Sequence, residues 1–211
     1  MIEYLADLCA SLGAYALLAA ACIGWGRLGE GVLGIRLPGA ARVFHLAWLG
    51  LAVSLGLFQA AHFLVPIAAP VALAWLGGGV VAGLVLARRD LPAGGNGEGW
   101  RPAAFAIALG AVAVWLGSRA MAVPDNYDSG LYHFQVIRWI REFPVVPGLG
   151  NLHSRYAFNV SFFPAVAAWD VHPLWGHGRN VAVSFLFLLL IAECLHGAAR
   201  FFRARRRSEP F

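Results

Sequence analysis

Residues 69–87 read APVALAWLGGGVVAGLVLA and contain no charged side chain. A helix rises about 1.5 Å per residue, so this run approaches the roughly 20 residues that a helix needs to cross a hydrocarbon core about 30 Å thick. The stretch therefore predicts a membrane-spanning helix.

Four further apolar runs lie on either side of this one. Of the 211 residues, 60% are hydrophobic and only 13% are charged, whereas about a quarter of a soluble domain is charged. The sequence predicts an all-α fold, a polytopic membrane helix bundle of about five transmembrane helices. The predicted spans are residues 8–25, 43–65, 69–87, 103 to about 120, and 180–199.

The placement of arginine predicts the orientation of the bundle. All 16 basic residues are arginine, and most lie at the ends of apolar runs, where they indicate topology rather than a nucleic-acid partner. Because basic loops stay in the cytoplasm, we expect a multi-pass protein of the cytoplasmic (inner) membrane with its N-terminus outside and its C-terminus in the cytoplasm. The orienting arginines are Arg27, Arg36 and Arg42 after the first span, Arg88, Arg89 and Arg101 after the third, and Arg200, Arg203, Arg205, Arg206 and Arg207 in the tail.

This topology divides the chain into four predicted regions. They are a four-span membrane region (1–123), an extracytoplasmic loop (124–179), a fifth span (180–199) and a basic cytoplasmic tail (200–211). Within the third span, Gly79 and Gly83 have the spacing that lets another helix approach closely. Tryptophans near the span ends are expected to anchor the chain at the membrane interfaces, namely Trp25, Trp48, Trp75, Trp115 and Trp175.

The extracytoplasmic loop begins with a predicted surface helix. Asp128 or Ser129 is a suitable N-cap for a helix that runs to about Phe143, and Pro144 ends it. Apolar side chains cover one arc of this helix and polar side chains the other, so we expect an amphipathic helix lying along the membrane surface. Residues 162–169 are too few to cross and are expected to dip into the interface.

Two carboxylates, Asp125 and Asp128, lie three residues apart at the start of this helix. Such a pair can hold a divalent cation such as Mg²⁺ or Mn²⁺, or one carboxylate can act as a general base while the other orients it. Helix capping explains Asp128 equally well. His133 lies on the apolar arc and needs a hydrogen-bond partner, either one of these carboxylates or the loop backbone.

The second half of the loop supplies hydrogen-bond donors. Asn151, His153, Arg155 and Asn159 follow Pro144 and are the candidate substrate-binding residues. Arg155 can pair with a phosphate through two parallel hydrogen bonds, or it can rest among anionic lipid headgroups.

Several motifs in this loop carry a family resemblance. YDSGLYH at 127–133, WI at 139–140, PGLGNLHxR at 147–155 and FNxS at 158–161 resemble the signature loop of a family of uncharacterised bacterial multi-spanning membrane proteins. That family is in turn similar to the GT-C glycosyltransferases, which take sugars from polyprenyl-phosphate carriers.

The resemblance implies a role for each candidate residue. Asp128, or alternatively Asp125, would act as general base on the acceptor hydroxyl or bind a divalent metal, and His133 would orient it. Arg155, with His153, would hold the donor phosphate, and the anomeric carbon would be inverted. In GT-C enzymes the acidic loop follows the first span, whereas here it follows the fourth. We therefore expect membrane partner subunits or a chain that is one piece of a larger enzyme. The alternative hypothesis is a non-catalytic membrane scaffold or lipid-binding subunit.

Overall fold

A computed structural model describes residues 1–37, 39, 41–87, 102–124, 126–157, 160–170 and 178–208. Over these residues the chain forms helices and turns, with no strand. A π-helical turn at Ser129–His133 runs directly into α5, and two 3-10 turns, Leu149–Asn151 and Ser154–Ala157, precede α6. The helices are α1 Ile2–Leu33, α2 Arg42–His62, α3 Ala69–Ala87, α4 Pro102–Ala120, α5 Phe134–Glu142, α6 Phe162–Trp169 and α7 Gly178–Ser208.

Five of these helices, α1 to α4 and α7, are long and apolar enough to cross a membrane. The predicted fold class, an all-α bundle with five such helices, is therefore confirmed, and the protein is a multi-pass membrane protein whose environment is the lipid bilayer. α1 is longer than predicted and has 32 residues. It continues past Arg27 and Glu30 because no residue breaks the helix before Gly34, whose positive φ of 65° ends it.

α1 lies at the centre of the bundle and touches its neighbours backbone to backbone. A Cβ atom placed on Gly24 of α1 would lie 1.7 Å from the carbonyl oxygen of Gly79 on α3. A Cβ on Gly50 of α2 would lie 1.7 Å from the carbonyl oxygen of Cys22. Gly83 also faces Gly24, so the predicted close approach at Gly79 and Gly83 is confirmed.

Polar side chains inside the bundle are paired across helices. The indole N–H of Trp75 donates to the Ser54 hydroxyl at 2.9 Å, and the Tyr15 hydroxyl donates to Ser184 at 2.8 Å. Trp75 is only 5% exposed. The expectation that Trp75 anchors an interface was therefore wrong, because Ser54 satisfies its N–H inside the protein.

The short helix α6 is buried in the bundle. Every residue from Pro164 to Trp169 is buried, and the helix contacts α2, α3, α5 and α7. The expectation that residues 162–169 dip into the membrane interface was wrong, because neighbouring helices surround this run.

The two ends of the bundle are chemically different. At one end the turn after α2 meets α5, since the Ile67 N–H donates to the Ile140 carbonyl at 2.8 Å and the Val145 N–H donates to the His62 carbonyl at 3.0 Å. We call this the loop end. At the opposite end of α2, Arg42 pairs with Glu30 at 2.6 Å, and we call this the arginine end.

Candidate functional site

Two predicted site residues, Asp128 and Arg155, meet at the loop end. Arg155 Nη1 donates to Asp128 Oδ1 at 2.5 Å. Asp128 stands just before the π-helical turn, and Arg155 lies in the second 3-10 turn, so the intervening chain must fold back to bring them together. Both side chains are about two-fifths exposed, at 40% and 39%. A carboxylate and a guanidinium are thus adjacent and open to solvent.

The capping role considered for Asp128 does not occur. Its side chain makes no capping hydrogen bond to the helix, and the carboxylate pairs with Arg155 instead. The nearby turn is stabilised by Asn126, whose side-chain oxygen accepts the Asp128 backbone N–H at 2.8 Å. The Asp128 carboxylate is therefore held by the 3-10 turn of Arg155 rather than by its own helix.

Tyr132 lies under the guanidinium of this pair. The Arg155 Cζ atom is 5.0 Å from the centroid of the Tyr132 ring, which is within the range of a cation–π contact. Tyr132 was not among the site residues predicted from the sequence. Its spacing of four residues from Asp128, which puts both on one helix face, was the signal that could have identified it.

His133 packs among rings rather than beside a carboxylate. Its imidazole is 4.3 Å from the Tyr132 ring and 5.3 Å from the Phe163 ring, with edge-to-face geometry in both cases. Among the residues that the structure describes, no hydrogen bond joins His133 to Asp128. His133 therefore borders the ion pair through Tyr132 and does not orient the carboxylate directly.

His153 supports the turn that carries Arg155, whereas Asn151 lies apart. The Arg155 backbone N–H donates to His153 Nδ1 at 3.3 Å, and the imidazole stacks 5.3 Å from the Tyr156 ring. Asn151 is exposed and lies against Gly148, where an added Cβ would be 3.2 Å from Asn151 Nδ2. The two remaining candidates, Asp125 and Asn159, are outside the described residues.

The described side chains around Asp128 do not make a divalent-cation site. Its close partner is the cation Arg155, and within the described ranges no group of three or more His, Cys, Asp or Glu residues could hold a metal ion. Asp125, the other predicted ligand, is outside those ranges. We therefore assign no chemical step to a metal.

A largely apolar groove of about 290 Å³ begins beside the ion pair. Tyr156, the residue after Arg155, lines it, and so does Phe163, against which His133 packs. The groove runs between the end of α2, the buried side of α5 and the start of α6. The other described residues that line it are Gln59, His62, Phe63, Val136, Trp139, Ile140, Pro144, Val145, Val146, Leu149, Ala157, Val160 and Pro164.

A partly buried ion pair holds α5 against the bundle. Arg141 Nη1 donates to Asp170 Oδ2 at 2.7 Å, and Asp170 is only 8% exposed. Because Asp170 follows the last residue of α6, this pair fastens α5 to α6. The buried positions on α5 are Val136, Ile137 and Ile140, as the predicted apolar arc requires.

The site thus has a solvent-open pair of a carboxylate and a guanidinium beside an apolar groove. A family model described as a domain of unknown function (DUF8201) matches residues 10–211, so the chain belongs to that family. No curated protein and no solved structure matches the chain.

Proposed function

We propose that this member of the DUF8201 family is a GT-C-like glycosyltransferase, or part of one, that moves a sugar from a polyprenyl-phosphate donor to an acceptor outside the cytoplasm. The observation that carries the proposal is the ion pair between Asp128 and Arg155. It brings a group able to accept a proton next to a group able to hold a phosphate. In this proposal the arginine end is cytoplasmic and the loop end faces outward.

Arg155 has two competing anions in the proposed reaction. In the structure its guanidinium is held by Asp128, and the phosphate of an arriving donor is a second anion for the same group. Donor binding at Arg155 displaces the Asp128 carboxylate. Tyr132 keeps its contact with the guanidinium and holds Arg155 in place during this exchange. The donor thus frees the base that its own reaction requires.

The freed carboxylate then acts on the acceptor. Asp128 takes the proton of the acceptor hydroxyl as that oxygen attacks the anomeric carbon of the sugar. The bond between the anomeric carbon and the phosphate oxygen breaks, and the electron pair leaves with the polyprenyl phosphate. Arg155 stabilises the negative charge that develops on the leaving phosphate. A single displacement of this kind inverts the anomeric carbon.

The groove beside the ion pair supports a lipid-linked donor over a soluble one. Its walls are mainly aliphatic and aromatic, and it touches the ion-pair region at Tyr156 and Phe163. A donor phosphate on Arg155 would place the first isoprene units of its lipid in this groove. A water-soluble nucleotide sugar has no hydrocarbon chain to lie along these walls.

The proposal is tested by sugar transfer in proteoliposomes made with the full chain and a polyprenyl-phosphate-sugar donor. Asp128→Asn should reduce kcat by about 100-fold or more, because a positioned general base contributes about 10²–10⁴-fold. Arg155→Gln should raise KM for the donor and also lower kcat, because Arg155 both binds the phosphate and stabilises the charge on the leaving group. The matched control is Glu142→Gln, which removes an exposed carboxylate from α5 and should keep the wild-type rate. Transfer by Asp128→Asn at the wild-type rate would disprove the catalytic role of Asp128.

A non-catalytic lipid-binding subunit is the second candidate function. The groove favours it, because an apolar groove at the membrane surface can hold a lipid without any chemistry. In that case Asp128→Asn changes little, and Trp139→Ala, which removes a groove wall, causes the larger functional loss. The relative effects of these two substitutions distinguish the candidates.

A further inference from the structure

Three arginines from separate segments line one pocket at the arginine end. Arg27 lies on α1, Arg36 in the connection that follows α1, and Arg42 at the start of α2. The pocket has a volume of about 190 Å³. It is far from Asp128, because α2 separates the two ends of the bundle. The other described residues that line it are Glu30, Gly31, Ile35 and Leu86.

A buried carboxylate holds this pocket in shape. Glu30 is 7% exposed, and its Oε2 atom accepts from Arg42 Nη2 at 2.6 Å. Its other oxygen accepts the Leu37 backbone N–H, also at 2.6 Å. Glu30 therefore folds the connection back onto α1 and brings Arg36 and Arg42 to the same cavity.

The pocket has an excess of positive charge. Among its described lining residues there are three guanidinium groups and one carboxylate, and the carboxylate is already bound to Arg42 and to the backbone. Membrane orientation requires only that the connection be basic, and it does not require the arginines to converge. Convergence around a cavity instead suits an anion, and the planar guanidinium matches the geometry of a phosphate.

We infer that this pocket binds a phosphate group, which an anionic phospholipid or a soluble phosphate compound could supply. Its position favours the lipid. Val32 and Leu33, which are 85% and 59% exposed, lie in the last turn of α1 beside the pocket, and Leu86 lies in the last turn of α3. Acyl chains can pack on these apolar side chains while the headgroup phosphate enters the pocket.

The test compares ligands and arginine variants of the full chain in detergent. Thermal unfolding is followed during titration with phosphatidylglycerol, phosphatidylcholine or inorganic phosphate. Phosphatidylglycerol should raise the Tm of the wild type at lower concentration than phosphatidylcholine does. Arg36→Gln should weaken that response about fivefold, since one arginine near an anionic lipid surface contributes about that factor. Arg36 is exposed, so its replacement should leave the fold intact.

Two further variants make the test specific. Arg42→Gln removes both a pocket arginine and the partner of Glu30, so it should lower the Tm without ligand as well as weaken the response. The control Arg200→Gln removes an exposed arginine of α7 outside the pocket and should respond like the wild type. Protection by inorganic phosphate that depends on Arg36 would assign the pocket to a soluble phosphate compound. Equal responses of Arg36→Gln and Arg200→Gln, or equal protection by the two lipids, would overturn the inference.

Discussion

Replacing Gly24 with alanine tests how closely α1 packs against α3. The added Cβ would lie 1.7 Å from the Gly79 carbonyl oxygen, 2.7 Å from the Gly79 carbonyl carbon and 2.8 Å from the Gly83 nitrogen. All three atoms belong to the backbone, so no side chain can rotate to make room. The helices must separate by more than about 1 Å, and overpacking of this kind costs about 3 kcal/mol or more.

The assay is the free energy of unfolding in mixed micelles, with SDS as denaturant. Gly13→Ala is the matched control, because the same helix carries it and a Cβ at Gly13 meets nothing within 4 Å. The control should be neutral or stabilising by at most about 1 kcal/mol, since alanine is the better helix former. Equal unfolding midpoints for Gly24→Ala and Gly13→Ala would refute the close contact of α1 and α3.

The other stability predictions concern buried polar contacts. Arg141→Ala leaves the buried carboxylate of Asp170 without its cation and should cost about 3–5 kcal/mol, whereas Arg138→Ala breaks an exposed pair and should cost less than about 1 kcal/mol. The same SDS titration measures the free energy of unfolding of both variants. Similar losses for Arg141→Ala and Arg138→Ala would contradict the expectation that the more buried ion pair contributes more to stability. Ser54→Ala removes the acceptor of the Trp75 indole N–H and should cost about 1–3 kcal/mol, accompanied by a change in tryptophan fluorescence. An unchanged midpoint would show that Trp75 has another partner.

The spanning helices could be predicted from the sequence because a lipid environment leaves few alternatives. A long apolar run without charges must satisfy its backbone internally, and a helix does so within the run itself. The predicted bounds of residues 69–87 agree with α3. Two predictions were wrong because they had to decide whether an apolar residue contacts the membrane interface or the protein interior. Trp75 and the run at 162–169 are as apolar as an interface segment, and only tertiary packing buries them inside the protein.

The candidate site was predictable by residue type but not by pairing. Asp128 was selected as a general base or metal ligand and Arg155 as a phosphate-binding cation, yet their spacing of 27 residues gives no periodic signal. The pair depends on two 3-10 turns, and each turn is too short to produce a periodic pattern of apolar residues in the sequence. The Arg141–Asp170 contact could not be predicted for a similar reason, because its partners meet only after α6 has packed into the bundle.

In the proposed reaction Asp128 and a donor phosphate compete for Arg155, and this competition can be measured as the binding of polyprenyl phosphate to the full chain in nanodiscs. Arg155→Gln should weaken binding. Asp128→Asn should tighten it by up to about fivefold, because an ion pair this exposed contributes at most about 1 kcal/mol and its removal frees the guanidinium. Weaker binding by Asp128→Asn, or equal binding by the wild type and both variants, would show that Asp128 and the phosphate do not compete for Arg155.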